Sequence, residues 1–342
     1  MNFQNGIVGI ALVLSLFGCG SKNDASPGAV AGGQSSGSAP GPDQIWSAQG
    51  GLSASHVRLT DVKTGSFVKD FDLGTPLAGQ IAIAGGWLWP TTTAGDILQV
   101  SPQDGTITKT ISIPNLALIY ASSNALWAAQ GSASEGSVMG PKVYRLDPST
   151  GKVIAVIPLA NSADQIDAMV IDGNSLYVLI GNGFAIYKID LTTNKPVGFT
   201  SLNAGLYGYG NLTASDGAVW VLDQYNHKLI LLNGLTLKVA ARSLVSKHLG
   251  TAMIAPNSTT VYVANLQGMS VTRFDSIAPL KQTVIDVSSL GKPQDLWWQN
   301  GRLYIAFSES SSFGTVAELD PAGNVVSKTD GVYAQSFARG LY

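Results

Sequence analysis

Short apolar stretches separated by polar turns run through most of this chain, and they repeat. An apolar residue followed by an aromatic one begins such a stretch seven times, at Ile45-Trp46, Leu88-Trp89, Leu126-Trp127, Leu176-Tyr177, Val219-Trp220, Val261-Tyr262 and Leu303-Tyr304. Successive aromatic residues of this motif are 43, 38, 50, 43, 42 and 42 positions apart. A period of this size, filled with short strands, predicts an all-β fold, a seven-bladed β-propeller with four antiparallel strands per blade.

Turn residues divide each repeat into its strands. Asn, Asp and Gly, which tolerate the positive φ of tight hairpins, precede the aromatic strand, as in Asp172-Gly173-Asn174. A later turn reads Asp147-Pro148-Ser149-Thr150-Gly151-Lys152, in which we expect Asp to accept backbone hydrogen bonds and Gly to be left-handed. Five strands end in Asp or Asn in this way, at Asp147, Asp190, Asn233, Asp275 and Asp320.

One segment carries a family resemblance. Residues 261–275 read Val-Tyr-Val-Ala-Asn, then a loop containing Gly268, then a short strand that ends in Asp275. This order resembles the YVTN/NHL type of propeller repeat, and the resemblance covers roughly residues 45–342. It implies the fold and says little about chemistry. The Trp that follows the Thr-Gly turn in quinone-dependent dehydrogenase propellers is missing, since Lys152 follows Gly151 and Ser66 follows Gly65.

The two ends of the repeat region suggest how the ring closes. The first repeat lacks an innermost strand, because a linker without an apolar run precedes Ile45. A spare apolar run, Val332–Gly340, follows the expected end of the seventh blade near Asp330. We therefore expect this C-terminal strand to join the N-terminal blade, which would cover an open edge and hold both termini. Six or eight blades are the alternatives.

The N-terminus has the features of a bacterial lipoprotein. Ile7–Phe17 is an apolar run of 11 residues, too short to span a bilayer and typical of a signal peptide. Leu16-Phe17-Gly18-Cys19 resembles a lipobox, although Phe17 is bulkier than usual and residues 1–5 contain no Lys or Arg. Cys19 is the only Cys in the chain, and the alternative is a buried Cys in an apolar segment.

These features predict three parts. They are a signal peptide at 1–18, a lipidated Cys19 with a flexible Ser-, Gly-, Pro- and Ala-rich tether at 19–44, and a propeller at 45–342. We expect an exported protein anchored to a membrane of the cell envelope. Gly20-Ser21 after Cys19, with no Asp, resembles an outer-membrane sorting signal, provided that the organism is Gram-negative.

Composition narrows the function classes. Charged residues make up 12% of the chain, the net charge is −2, and no basic stripe that would favour nucleic acid is present. Without a Cys in the mature head, disulfides, Cys-ligated metals and covalently attached haem are excluded. We expect no cofactor, no bound metal and a monomer.

Candidate binding residues lie on one face. Loops that lead into the innermost strands and loops between the second and third strands share a side of a propeller, which we call the loop face. Amides near the starts of innermost strands either line the channel mouth or satisfy backbone groups between blades. They are Gln80, Gln165, Asn211, Gln294 and Gln335.

Aromatic and titratable residues form two further groups on this face. Tyr207, Tyr209 and Trp297 either stack on a ligand or pack between blades, and Trp297 and Trp298 should point to opposite sides of their strand. The second group either binds a metal and acts as acid and base, or consists of exposed loop residues; its members are Asp223, Tyr225, His227 and His248. In an extended strand Asp223 and His227 would be about 13 Å apart, too far for direct contact unless the loop folds back. The long loop Gln130–Lys142 is a further recognition element or an idle insertion.

Two function classes follow. The first is a non-catalytic binding or scaffold module for an envelope or extracellular partner, bound on the loop face. The second is a metal-dependent lyase or hydrolase, because the streptogramin lyase and lactonase propellers resemble this fold. The streptogramin lyase uses His and Glu, yet no His-x-Glu or Glu-x-His occurs here, and the chain has three Glu. We expect a binder rather than an enzyme.

Overall fold

The computed structural model describes residues 44–49, 55–122, 124–131, 140–159, 166–181, 185–202, 210–224, 226–245, 250–275, 281–299, 301–308 and 314–332. The chain divides into residues 1–35 and residues 36–342, and every described residue belongs to the second unit. The predicted signal peptide, Cys19 and nearly all of the tether therefore lie outside the described residues. In the part that is described, no helix is long and apolar enough to cross a membrane.

The described residues form 27 strands in seven antiparallel sheets, and each sheet is one blade. The first three blades contain β1 (Gln44–Ala48), β2 (His56–Asp61) and β3 (Phe67–Asp72); β4 (Leu77–Ala84), β5 (Trp87–Thr92), β6 (Asp96–Val100) and β7 (Ile107–Ser112); and β8 (Leu116–Ser122), β9 (Ala125–Gln130), β10 (Lys142–Leu146) and β11 (Val153–Pro158). The fourth and fifth contain β12 (Ile166–Asp172), β13 (Ser175–Ile180), β14 (Ala185–Asp190) and β15 (Lys195–Ser201); and β16 (Gly210–Ser215), β17 (Ala218–Asp223), β18 (Lys228–Asn233) and β19 (Val239–Leu244). The last two contain β20 (Gly250–Asn257), β21 (Thr260–Asn265), β22 (Ser270–Asp275) and β23 (Lys281–Asp286); and β24 (Lys292–Gln299), β25 (Arg302–Ser308), β26 (Gly314–Leu319) and β27 (Val325–Val332).

Each strand pairs with the next one in sequence, so that every blade is an antiparallel meander. The first strand of a blade is innermost, where it contacts the first strand of the neighbouring blade, and the fourth is outermost. The predicted fold class is confirmed: an all-β propeller of seven blades, with four antiparallel strands in six of them and three described strands in the first.

The end of the seventh blade differs from the prediction. Val332 pairs with Gly314 and belongs to β27, which extends two residues beyond Asp330, so that Val332 is not the start of the spare C-terminal run. Asp330 lies within β27, and its carboxylate accepts a hydrogen bond from Thr315 of the neighbouring strand. Residues 333–340 lie outside the described residues, and their role as the innermost strand of the first blade stays a prediction.

The hydrophobic core lies between the blades. Seven clusters of buried apolar residues occupy the seven seams of the described ring. The repeated aromatic residue is central to these seams, since Trp89, Trp127 and Trp220 are fully buried. Between the seventh and first blades, Tyr304 and Val316 pack against Ile45 and Val62. The ring is therefore closed by side-chain packing at this seam.

The turns between third and fourth strands form as their residues predict. Asp147 Oδ1 accepts hydrogen bonds from the backbone N–H groups of Ser149 at 3.0 Å and Thr150 at 2.7 Å. Gly151 has a φ of +65°, in the left-handed region. Asp190, Asn233 and Asp320 make equivalent turns. The carboxylate of Asp275 pairs with Arg273 and accepts from Thr260, and the residues that follow Asp275 lie outside the described residues.

Candidate functional site

The loop face has a repeated irregularity at the starts of the innermost strands. One extra residue interrupts the pairing of β8, β12, β20 and β24 with their neighbours. The extra residues are Ala117, Asp167, Thr251 and Gln294. Such β-bulges re-aim side chains and are common beside binding sites. The bulges therefore mark the channel mouth on the loop face as a place where side-chain direction departs from the regular pleat.

Asp167 is the titratable residue at one of these bulges. Its Oδ2 accepts a hydrogen bond from the backbone N–H of Gly210, 3.1 Å away on the next innermost strand. Gly181 leaves room for the carboxyl group, since a Cβ there would lie 2.7 Å from Oδ2. Burial raises the pKa of Asp167 to about 6, against the smaller opposing effect of the Gly210 N–H. The loop face thus holds a carboxyl group that gains and loses a proton near neutral pH.

Two of the amides predicted for the channel mouth, Gln80 and Asn211, are bonded to the backbone. Gln80 Nε2 donates to the carbonyl of Ala117 at 2.9 Å, and its Oε1 accepts from the N–H of Ile119 at 3.2 Å, so that it links the second and third blades. Asn211 Oδ1 accepts from the N–H of Leu212 at 2.8 Å. Gln294 is the bulged residue of β24. Gln165 and Gln335 lie outside the described residues.

The two tryptophans of β24 stack on different rings. Trp297 stacks on Tyr304 of its own blade with ring centres 4.7 Å apart, and Trp298 stacks on Tyr262 of the sixth blade at 5.8 Å. They therefore point to opposite sides of the strand, as the alternation along a strand predicts. Tyr207, Tyr209 and Tyr225 lie outside the described residues.

Asp223 and His227 stand at the two ends of a tight turn. Asp223 pairs with Lys228 across the hairpin, so that the extended arrangement and its separation of about 13 Å are wrong. The buried carboxylate of Asp223 accepts from the amide of Asn226 at 2.9 Å and from its side chain at 2.8 Å, which shapes the turn. His227 has a φ of +52°, and its buried Nδ1 has no hydrogen-bond partner.

The remaining histidine and glutamate that the structure describes, His56 and Glu318, lie in different blades. His56 Nδ1 lies 2.9 Å from Asp70 Oδ1 on the outer strands of the first blade, and His248 lies outside the described residues. Buried Glu318 pairs with Arg302 and accepts from Ser327 at 2.9 Å. Among the residues that the structure describes, no group of three or more His, Cys, Asp or Glu side chains is placed to hold a metal ion.

The opposite side, which we call the turn face, carries the hairpins between first and second strands and the turns between third and fourth. A cavity of about 370 Å³ opens there between the third and fourth blades. Its lining is mixed, with Ile171 and Leu191 as apolar side chains beside Gly173; the polar side chains are Ser122, Asn124, Arg145, Asn174 and Thr192. This volume falls in the range of small-molecule sites.

Arg145 belongs to a recurring device that we call the blade clasp. In a blade clasp, a long polar side chain of a third strand donates to a backbone carbonyl in the following blade's turn. Four clasps are described, with distances of 2.6, 3.0, 2.8 and 3.2 Å: Gln99 to Ser149, Arg145 to Leu191, Lys188 to Gly234, and Arg273 to Pro321. Clasps join neighbouring blades at the turn face and satisfy carbonyls that the strands leave unpaired.

The outer edge of the third blade differs from the other blades. Of the seven outermost strands described, six contain Lys or Arg, and β11 contains neither. Ile154 and Val156 of β11 are 51% and 49% exposed. Phe199 on the outermost strand of the next blade is also exposed. Edge strands are normally protected from pairing with other chains by charged residues, above all Lys.

Comparisons with solved structures identify the fold. BamB from Moraxella catarrhalis matches with a TM-score of 0.55 and 15% identity, over 78% of this chain and 79% of that one. A streptogramin B lyase matches at 0.60 and 15%, over 78% and 91%, and virginiamycin B lyase from Staphylococcus aureus at 0.61 and 13%, over 78% and 92%. No protein-family model and no curated protein matches the sequence. At these identities the likeness establishes the propeller fold alone.

Three features were not recognised from the sequence. Asp167 is a carboxylate inside the apolar run Ile166–Ile171, which is itself a signal of a special environment. The charge-free β11 is visible once the seven outermost strands are aligned. The Arg145 cavity has no sequence signal, because it depends on how two blades approach each other at the turn face.

Proposed function

We propose that this protein is a lipid-anchored, exported binding module that captures an extended segment of another polypeptide along the outer edge of its third blade. The observation that carries the proposal is β11, an outermost strand without a charged residue. Its sequence, Val-Ile-Ala-Val-Ile-Pro, combines high β-propensity with exposed apolar side chains. The other six outermost strands supply the contrast within the same molecule.

Strand addition accounts for this pattern physically. β11 stands at the end of its sheet, paired on one side with β10, so that its other edge presents backbone donors and acceptors. An added strand would use these groups for affinity, and the exposed side chains of Ile154 and Val156 for specificity. A Lys at either position would place a charge in that contact and oppose it.

The fold does not choose between binder and enzyme, since it is shared with BamB and with streptogramin B lyases. A metal-dependent lyase or hydrolase therefore remains the competing class. Stoichiometric zinc, magnesium or calcium in the purified protein, together with loss of that metal on His227→Ala, would favour the enzyme. An intact binding activity in metal-free protein would favour the module.

The edge is tested by adding charge to it. We expect the double substitution Ile154→Lys with Val156→Lys to abolish cross-linking of the full-length protein to its partner in intact cells, because it gives β11 the protection that the other edges have. Val284→Lys is the matched control, since Val284 is 64% exposed on β23, an outermost strand that already contains Lys281. Analytical ultracentrifugation reports whether the partner is a second copy.

Two results would contradict the edge proposal. One is equal cross-linking by the double variant and by Val284→Lys. The other is loss of cross-linking only when loop-face residues such as His227 are replaced, which would move the binding surface to the loop face. Both variants should keep the wild-type melting temperature, because the altered side chains are exposed.

The anchor is tested at Cys19. Several acyl chains hold a lipoprotein firmly in a bilayer, whereas one binds only marginally, so that Cys19→Ser should move the protein from the membrane fraction to the soluble fraction or leave it unprocessed. Fractionation and intact mass measure the outcome. An unchanged mass and an unchanged membrane fraction in the variant would show that Cys19 is not the lipid site and would leave the edge proposal standing.

A further inference from the structure

The turn-face cavity differs from the rest of the ring in how its arginine is bonded. Arg145 Nη1 donates to the carbonyl of Leu191 at 3.0 Å and to Asn194 Oδ1 at 2.9 Å. Its guanidinium carbon lies 5.5 Å from the centre of the Trp127 ring. Among the described residues no carboxylate pairs with Arg145, and its Nε is buried without a hydrogen-bond partner.

Arg273 stands at the same place in the sixth blade and shows what Arg145 lacks. Each residue lies opposite the repeated aromatic residue of its own blade, Arg145 opposite Trp127 and Arg273 opposite Tyr262. The clasp of Arg273 uses Nη1, while Nε and Nη2 bind Asp275 Oδ1 at 3.1 and 3.0 Å. One guanidinium therefore has a carboxylate on its Nε and Nη2 side, and the other does not.

The reason lies two residues further along each strand. Asp147 stands where Asp275 stands, but its Oδ1 accepts from the amides and side chain of its own turn. Asp147 forms no ion pair with Arg145 among the described contacts. The cavity of about 370 Å³ lies directly against this arginine. We propose that the cavity between the third and fourth blades binds a small organic carboxylate, which pairs with the Arg145 guanidinium that lines the cavity.

The other lining residues suit an amphipathic acid. The Asn124 side-chain oxygen accepts from Ser122, which leaves the Asn124 amide N–H groups as further donors, and Ile171 and Leu191 offer apolar surface to the body of the ligand. Asp190 is a competing anion at the start of the turn that contains Leu191 and Thr192, and its carboxylate already accepts from Thr192, Thr193 and Asn174. Guanidinium–carboxylate pairs are among the stronger hydrogen-bonded contacts in proteins.

Two sources of such a carboxylate are distinguished by paired probes. N-acetyl-leucine and its amide represent the C-terminus of a peptide, and galacturonic acid and galactose represent an acidic sugar. Isothermal titration calorimetry of the full-length protein should show that the acid of one pair binds about tenfold more tightly than its neutral counterpart. The neutral compound lacks the charged carboxylate that would accept a hydrogen bond from Arg145. The pair that shows the difference identifies the source.

Variants separate binding from folding. Arg145→Gln should lose that preference, whereas Arg273→Gln, which removes a clasp at the same repeat position, should keep it and lower the melting temperature to a similar extent. If Arg145→Gln does not fold, Arg145→Lys is the second variant. It keeps the positive charge without the planar donor pair, and it should weaken binding of the acid. Equal affinity for acid and neutral probes, no binding of either acid at millimolar concentration, or full affinity in a folded Arg145→Gln protein would overturn the proposal.

Discussion

The carboxyl group of Asp167 makes the protein less stable as the pH rises through its titration range. Its folded-state pKa of about 6 lies above the ordinary value of 3.8, so that the folded state binds more protons than the unfolded state between these two values. Stability falls when the folded state must release a proton that it holds more tightly. The decrease in the free energy of unfolding reaches its full size above about pH 6. It disappears below about pH 4, where Asp167 is protonated in both the folded and the unfolded state.

Asp167→Asn should therefore raise the free energy of unfolding at pH 7 and leave it unchanged at pH 3. After allowance for the partial exposure of the carboxyl group, we expect a gain on the order of 1 kcal/mol. Urea unfolding of both proteins at the two pH values measures it. A variant that is destabilised at pH 7 would show that the ionised carboxylate, through its bond with the Gly210 N–H, stabilises the fold after all.

The turn aspartates have the opposite dependence. Backbone N–H groups, with that of Thr150 the largest influence, hold the pKa of Asp147 below its usual range, and Thr193 acts in the same way on Asp190. A depressed folded-state pKa gives stability that is present above the unfolded-state pKa and is lost as the pH falls. The comparison of Asp167→Asn with the wild type at each pH isolates Asp167, because both proteins contain these turns.

At the scale of the element, strands and turns were predictable and their departures from regularity were not. The aromatic motif and the Asp-Pro-Ser-Thr-Gly turn follow local rules that a sequence displays directly, and β9, β13 and the Asp147 turn form where these rules place them. The bulge at Asp167 depends on pairing with β13 and on the absence of a side chain at Gly181. These are contacts between segments that are distant in sequence.

The candidate site illustrates the same limit. Gln80 and Asn211 were recognisable as polar residues on innermost strands, but their hydrogen bonds depend on the neighbouring strands and on local geometry. The distance of about 13 Å expected between Asp223 and His227 applies to an extended strand, whereas the chain folds back between them in a hairpin. The clasp of Arg145 requires the carbonyl of Leu191, 46 residues later, to face the next blade. A single sequence contains no sign of such an approach.

At the scale of the whole molecule, the prediction concerns the missing strand of the first blade. The seam between the seventh and first blades is already packed by Tyr304, Val316, Ile45 and Val62, and Thr329 Oγ1 donates to the Val62 carbonyl at 2.7 Å. An added innermost strand would pair with β1 on the side away from β2 and leave no uncovered strand edge there. Such an edge is unfavourable in a closed ring.

Deletion of residues 333–342 should then lower the melting temperature of the full chain by several degrees, because it would unpair β1 at the centre of the molecule. The deletion keeps Val332, so that the pairing of β27 with β26 is preserved. Differential scanning calorimetry of both chains measures the change. A deletion protein with the same melting temperature as the wild type would contradict this prediction. It would show that packing at the Tyr304 seam closes the ring and that residues 333–342 have another role.

The direction of the blade clasps bears on how the ring assembles while it is being made. Gln99, Arg145, Lys188 and Arg273 each reach toward a blade that lies later in the chain. Synthesis proceeds from the N-terminus, and a ribosome adds roughly 5–20 residues per second. A freshly made blade of about 42 residues therefore waits several seconds for its acceptor carbonyl to emerge. During that interval each nascent blade has an uncovered apolar side, and a helper protein that shields hydrophobic surface would have its longest opportunity there.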